Sequence, residues 1–166
     1  MAFSKEHIVN VMRETGIVPL FTHDDAVEAQ EVVEAAYRGG VRAFEFTNRR
    51  ANSFEIFSHL VRERKKFPDL TLGIGTVMDG QTAKRFIDAG ADFIISPILK
   101  TEMAEVCAKY NKPWIPGCAT LTEIVTARDH GAADYTGVVG AALFVVALIF
   151  VWRSFYSMRI PKEGVA

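Results

Sequence analysis

Short apolar runs recur along the first 131 residues, and each is followed by a segment with helical periodicity. The runs are five residues long or shorter, which is typical of strands buried on both faces of a parallel sheet. They predict five strands, at 17–21, 43–46, 70–74, 93–95 and 114–115. The spacing of the strands leaves room for one helix and two short loops between neighbours.

The segments between these strands carry helical stop and start signals. Ser4 is placed to cap a first helix and Gly16 to end it. Two apolar stripes follow, one of Ala26, Ala29, Val32, Val33 and Ala36, and one of Phe54, Phe57, Leu60 and Val61. Five even strand–helix units predict an α/β fold, specifically a partial (β/α)8 TIM-type barrel. No GxGxxG follows the first strand, which argues against a dinucleotide-binding sheet.

The carboxyl ends of the predicted strands carry the candidate chemistry, since this is where barrels place their active sites. Glu45 stands within an apolar strand, between Phe44 and Phe46, and Arg49 follows four residues later. A carboxylate in that position either faces the barrel mouth or is buried at a cost. The residues alone leave open a tuned general acid/base and a structural Glu–Arg pair.

Composition excludes several classes of protein. The chain has 166 residues, of which 49% are apolar and 23% charged, so a folded core is expected. The net charge is −1 and no basic patch with aromatics is present, which argues against nucleic-acid binding. Cys107 and Cys118 have neither zinc-site nor redox-motif spacing and predict reduced thiols. No metal site and no cofactor are predicted.

The C-terminal region differs in character from the rest. Residues 135–152 contain no charge and are apolar on every side, which predicts a single transmembrane helix followed by a short basic tail, 153–166. The alternative is a buried helix or strand pair that packs on the barrel. Gly137, Gly140 and Ala141 form a small-residue patch that suits a membrane-helix partner.

The amino terminus lacks the pattern of a signal peptide. This predicts a cytoplasmic front part in a chain that is membrane-associated through 135–152.

Residues from about 1 to 131 resemble the KDPG/KHG (2-keto-3-deoxy-6-phosphogluconate and 4-hydroxy-2-oxoglutarate) aldolases. The matching stretches are 16–20, 40–49, 73–77, 89–97 and 115–123. The resemblance implies a (β/α)8 barrel that assembles as a homotrimer and cleaves a small keto-acid substrate to pyruvate. It also implies class I chemistry, in which a lysine forms a Schiff base and a glutamate shuttles protons.

Carried over by motif, Glu45 matches the proton-shuttling glutamate of this family. Arg49 matches a contact to the substrate carboxylate or phosphate, and Thr76 and Pro97 match residues of the substrate pocket. Gly117 matches the scaffold of the barrel mouth.

The sequence departs from the family after Gly131, where a sixth strand with the Schiff-base lysine and a Phe-Pro pair is expected. No lysine occurs between Lys112 and Lys162, and no Phe-Pro pair follows Gly131. Lys100 is the nearest substitute at a strand end, with a surface lysine as the alternative. We therefore expect 132–134 to be a junction and the last three βα units, with their phosphate loops, to be missing. The chain as written is predicted to be inactive in aldol cleavage, and whether it is an enzyme stays open.

Two further functions are compatible with this departure. One is a non-enzymatic single-span membrane protein. The other is a composite chain, chimeric or frame-shifted, whose halves have separate origins.

Overall fold

A computed structural model describes residues 3–131, 144–145, 147–149 and 151–153. The chain divides into two compact units, Met1–Ala133 and Asp134–Ala166. The helices and strands of the first unit, in chain order, are α1 (Lys5–Thr15), β1 (Leu20–Phe21), α2 (Ala26–Arg38), β2 (Ala43–Thr47), α3 (Ser53–Glu63), β3 (Thr71–Gly75), α4 (Gly80–Asp88), β4 (Ile94–Ser96), α5 (Thr101–Lys109), β5 (Trp114–Pro116) and α6 (Leu121–Asp129). A 3-10 turn, Arg64–Lys66, follows α3 directly.

The five strands form one parallel sheet in the order β1-β2-β3-β4-β5. Each strand therefore pairs with the next one along the chain, with a helix between them. A doubly wound sheet would reverse its strand order at a switch point, and this sheet does not. The predicted α/β fold with five parallel βα units is confirmed, and the order is that of a TIM-type barrel wall.

The helix ends follow the signals in the sequence. Ser4 accepts a hydrogen bond from the backbone N–H of His7 at 3.2 Å, which satisfies a free donor in the first turn of α1. Gly16 ends the same helix with φ +69°, in the left-handed region that glycine adopts without steric cost. Thr120 and Glu123 form a reciprocal capping box at the start of α6.

The strands bury side chains on both faces. Phe44 and Phe46 of β2 belong to the larger core, which packs the sheet against the helices. Ala43 of the same strand belongs to a smaller cluster on the other face, with Ile8 and Met12 of α1 and with Phe93. Because side chains alternate along a strand, Glu45 shares the face of Ala43 and points away from α2 and α3, whose side chains belong to the larger core.

A buried carboxylate fixes the start of β4. Asp92 is 1% exposed and accepts the backbone N–H of Leu72 at 2.9 Å. It also forms an ion pair with Arg64, and Lys112 lies 3.9 Å away. Both cations are largely covered. The pKa of Asp92 is nevertheless raised, because burial disfavours its charge more than the two cations restore it.

The predicted membrane association through 135–152 is wrong. In the part of the chain that the structure describes, no helix is long and apolar enough to cross a membrane. An uncharged run meets only the compositional requirement for a span, which also needs about 20 continuous helical residues. Within 135–152 the described positions are 144–145, 147–149 and 151–152, and they are helical. The small-residue patch of Gly137, Gly140 and Ala141, the predicted junction at 132–134 and most of the tail lie outside the described residues.

Candidate active site

Glu45 is the middle residue of β2 and lies on the face of the sheet opposite the larger core, here called the inner face. Glu45 is only 7% exposed. Its two chain neighbours, Phe44 and Phe46, point to the opposite face of the sheet. Burial raises the pKa of this carboxyl, and the positive charge of Arg49 opposes that rise without cancelling it. A carboxyl with a raised pKa exchanges protons at a pH closer to neutrality than an exposed glutamate does.

The side chains of Arg49 and Thr76 are in contact at the carboxyl end of the sheet. The Arg49 side chain donates from Nε to Oγ1 of Thr76 at 3.3 Å, which joins the loops after β2 and β3. Among the described residues no ion pair within 4.0 Å joins Arg49 to Glu45. This argues against the structural Glu–Arg pair and leaves the guanidinium of Arg49, an exposed residue, within reach of a ligand.

The backbone at Thr76 is strained. Its φ is +60°, a left-handed conformation that costs a non-glycine residue roughly 1–2 kcal/mol. The branched Cβ of threonine makes this conformation rarer still. Strain of this kind persists where the surroundings fix it, and it clusters at ligand-binding sites.

β3 presents no side chain on its inner face next to Glu45. Gly73 and Gly75 are both buried, and the register pairs Glu45 with Gly73 and Thr47 with Gly75. A Cβ built on Gly75 would overlap the Glu45 carboxylate and lie 3.0 Å from its Cγ. The carboxylate therefore leans along the strand direction, towards the carboxyl end of the sheet, where Thr76 lies.

Thr47 is the second buried polar residue on this face of β2. Its backbone carbonyl accepts from Oγ1 of Thr22 at 3.3 Å, which ties the loop after β1 to the end of β2. Its own Oγ1 is, within the described ranges, a buried side-chain oxygen without a hydrogen-bond partner. Such a group is unusual, because burial of an unpaired hydroxyl costs about 1–3 kcal/mol.

The ends of β4 and β5 are held together at the same edge of the sheet. Gly117 donates its N–H to the carbonyl of Ser96 at 2.7 Å, and Trp114 donates from Nε1 to Oγ of Ser96 at 2.9 Å. A side chain at Gly117 would overlap the carbonyl of Pro97, so the two strand ends approach more closely than other residues allow. This contact places Pro97 at the exposed rim.

The structure brings three of the four predicted site residues together. Glu45, Arg49 and Thr76 lie on the adjacent ends of β2 and β3, whereas Pro97 lies one strand farther along, beside Gly117. Lys100 is exposed at the start of α5, and its charge is among the influences that lower the pKa of Asp79, after the N–H of Thr82. That position is the surface lysine of the alternative interpretation.

Sequence reasoning missed the roles of Gly75 and Thr47. The signal for the glycines was present, because Gly73 and Gly75 alternate within one apolar strand and so leave one face of it bare. No sequence signal distinguishes the unpaired hydroxyl of Thr47 from that of an ordinary strand threonine.

This arrangement suits proton transfer on a small anionic molecule. Arg49 offers a planar donor set that matches a carboxylate or phosphate. Glu45 offers a buried carboxyl that can accept a proton and return it. Both groups stand at the strand ends where a barrel binds its substrate.

Comparison with known proteins identifies the family of this chain. The model of the KDPG and KHG aldolase family matches residues 8–149. The 2-dehydro-3-deoxy-phosphogluconate aldolase of Pseudomonas aeruginosa is 33% identical over 124 residues, which cover 75% of this chain and 55% of that protein. The KHG/KDPG aldolase of Escherichia coli is 29% identical over 119 residues, 72% of this chain and 54% of that protein.

A solved structure shows the same likeness. The 2-keto-3-deoxy-6-phospho-gluconate aldolase of Zymomonas mobilis superimposes with a TM-score of 0.68 at 25% identity and covers 87% of this chain and 71% of that one.

The extent of these matches bears on the other predictions. The family match runs through 132–134 and most of 135–152, so it gives no support to a composite chain or to a separate membrane segment. The chain spans about half the length of the curated relatives it matches. Since the family model covers most of the sequence, the chain belongs to the KDPG and KHG aldolase family.

Proposed function

We propose that this chain provides the 2-oxo-acid-binding and proton-transferring part of a KDPG/KHG aldolase site. In this proposal Glu45 is the acid/base, and Arg49 and Thr76 hold the substrate's carboxylate at the ends of β2 and β3. Pro97 forms the rim of the same pocket. The observation that carries the proposal is the buried Glu45 carboxyl beside an Arg49–Thr76 pair.

Aldol cleavage requires a group that transfers protons and an acceptor for an electron pair. In aldol cleavage a base removes the proton of the hydroxyl on C4, and the C3–C4 bond breaks as C4 leaves as an aldehyde. The electron pair of the broken bond moves towards C2. The resulting carbanion is then protonated at C3, which yields pyruvate. Glu45 is suited to both proton transfers, since its raised pKa lets it hold a proton between the two steps.

The electron pair also needs an acceptor at C2, which the family supplies as a lysine imine. An amine makes that imine only when its side chain is aimed at the substrate carbonyl. The chain has no lysine between Lys112 and Lys162, where the family's sixth strand carries it. We therefore propose that this chain binds a 2-oxo acid but does not cleave KDPG or 4-hydroxy-2-oxoglutarate through an imine.

Binding is tested with pyruvate, by calorimetry and by saturation-transfer NMR on the full chain. We expect Arg49→Gln to weaken pyruvate at least tenfold, which corresponds to about 1.4 kcal/mol. The matched control is Arg50→Gln, because Arg50 is the adjacent exposed arginine and its partner is Asp24, at 3.5 Å. Absence of pyruvate binding, or an equal loss of pyruvate affinity in the two variants, would contradict the proposed 2-oxo-acid site.

Imine chemistry is tested separately. The full chain is incubated with pyruvate and borohydride and examined by mass spectrometry, and pyruvate release from KDPG is followed with a coupled dehydrogenase. We expect neither a reduced pyruvate adduct nor release above background. An adduct on any lysine contradicts the second half of the proposal and leaves the binding half standing.

The family resemblance also suggests a homotrimer, which we keep as part of the proposal. Sedimentation equilibrium of the purified chain measures it directly, and a monomer at micromolar concentration would contradict it.

A further inference from the structure

The backbone conformation at position 75 does not require glycine. Its φ lies outside the left-handed region, as does that of Gly73 in the same strand. Glycine in a strand interior is less favourable than alanine, because it loses more backbone entropy on folding and packs no side chain. The reason must lie in what occupies the space beside it.

That space holds the Glu45 carboxylate. A methyl group at position 75 would overlap its Oε1 and crowd Cδ and Cγ. Glu45 reaches this point diagonally, because its partner across the β2–β3 pair is Gly73 rather than Gly75. The Glu45 side chain thus extends along β3 towards Thr76, the residue that accepts the hydrogen bond from Arg49.

From this geometry we propose that Gly75 is the positioning residue for the Glu45 carboxylate: the missing side chain on β3 fixes where the proton-transferring group stands. The proposal rests on the proposed function for its catalytic meaning and on the Gly75–Glu45 contact for its physical content. The residue touches no substrate and acts only through Glu45.

Gly73 supplies a matched comparison. A Cβ there would overlap the ring of Phe93, which is fully buried in the inner cluster with Ile8 and Met12. A ring packed in a core cannot move without leaving a void. The far end of Glu45, in contrast, is a flexible carboxylate that can rotate away from position 75.

The two alanine variants should therefore fail in different ways. Gly75→Ala should keep most of its stability while its carboxylate is displaced from the buried place. Gly73→Ala should lose much of its stability while Glu45 keeps its environment in the molecules that fold.

The test uses the full chain with glutamate labelled at 13Cδ, and the Glu45 signal is assigned from its loss in Glu45→Gln. In Gly75→Ala we expect the Glu45 pKa to lose most of its upward shift and the urea midpoint to stay close to that of the parent. In Gly73→Ala we expect a lower urea midpoint and an unchanged Glu45 titration. An unchanged Glu45 titration in Gly75→Ala, or an equal change in both variants, overturns the proposal.

A second variant covers the case in which Gly75→Ala does not fold. Removal of the carboxylate removes the overlap, so Glu45→Ala/Gly75→Ala must then recover the fold. If the double variant also fails to fold, the contact with Glu45 is not the reason for the glycine and the proposal is wrong. Titration and unfolding need no substrate, so they stand even if pyruvate does not bind and the proposed function fails.

Discussion

Arg49 and Thr76 are joined across two strand ends, with Arg49 Nε donating to Thr76 Oγ1 at 3.3 Å. The bond holds the Arg49 guanidinium beside Thr76, where its charge acts on Glu45. It also connects the exposed side chain of Arg49 to the strained backbone at Thr76. The charge, the strain and the buried carboxyl thus belong to one small assembly.

The charge of Arg49 sets part of the Glu45 titration. Because the guanidinium opposes the rise caused by burial, Arg49→Gln should raise the Glu45 pKa further. The pKa is measured from the 13Cδ chemical shift of Glu45 against pH. Arg50→Gln should leave that curve where it is, and a downward move in Arg49→Gln would contradict the assigned direction.

The Glu45 carboxyl makes stability depend on pH. Since its folded pKa is above its unfolded value, the folded protein holds a proton that the unfolded chain releases as pH rises between those two values. Its favourable contribution is complete below the unfolded pKa and is lost as pH rises through the folded pKa. Glu45→Gln should therefore be more stable than the parent at neutral pH.

The check is chemical denaturation from pH 4 to pH 8. The advantage of Glu45→Gln over the parent should shrink as pH falls towards the ordinary glutamate pKa. A constant difference across the range would show that the carboxyl does not titrate differently in the two states.

The strain at Thr76 predicts an inverted order of substitutions. At an ordinary position glycine is about 0.5–1 kcal/mol worse than alanine. At φ +60° alanine keeps a penalty of roughly 1–2 kcal/mol that glycine avoids, so Thr76→Gly should be at least as stable as Thr76→Ala. Urea unfolding measures the order, and both variants should lose pyruvate affinity because both remove Oγ1.

The Asp92 ion pairs predict a large and local stability effect. Arg64→Met leaves the buried carboxylate with Lys112 at 3.9 Å and the N–H of Leu72, and should cost about 3 kcal/mol. Arg62→Met, an exposed substitution on α3, should stay within about 0.5 kcal/mol. Similar losses in the two variants would show that Asp92 does not depend on Arg64.

The sequence was sufficient for the fold of the first unit because its signals are local. Ser4, Gly16 and the apolar stripes each act within a few residues of chain, and short apolar strands separated by helices leave few topologies. β1 is shorter than predicted, at two residues rather than the five of 17–21. An apolar run marks burial potential, whereas a strand also needs a partner for its hydrogen bonds, and β1 pairs with β2 over only two positions.

The site was predicted less completely, because side-chain placement is not local. Glu45 and Arg49 were marked by an unusual carboxylate in an apolar strand and by the family motif. The left-handed Thr76 was not foreseeable as strained, since a branched residue normally avoids that conformation. The uncharged residues of 135–152 misled the prediction because hydrophobicity alone does not specify a membrane span.

The bare inner face of β3 has a consequence for redesign of this pocket. Positions 45 and 75 compete for one volume, and the chain fills it from β2 alone. A long side chain keeps its buried place at one of these positions only while the other position carries none. A redesign that moves the carboxylate to β3, or that enlarges the pocket there, must therefore choose the residues at positions 45 and 75 together.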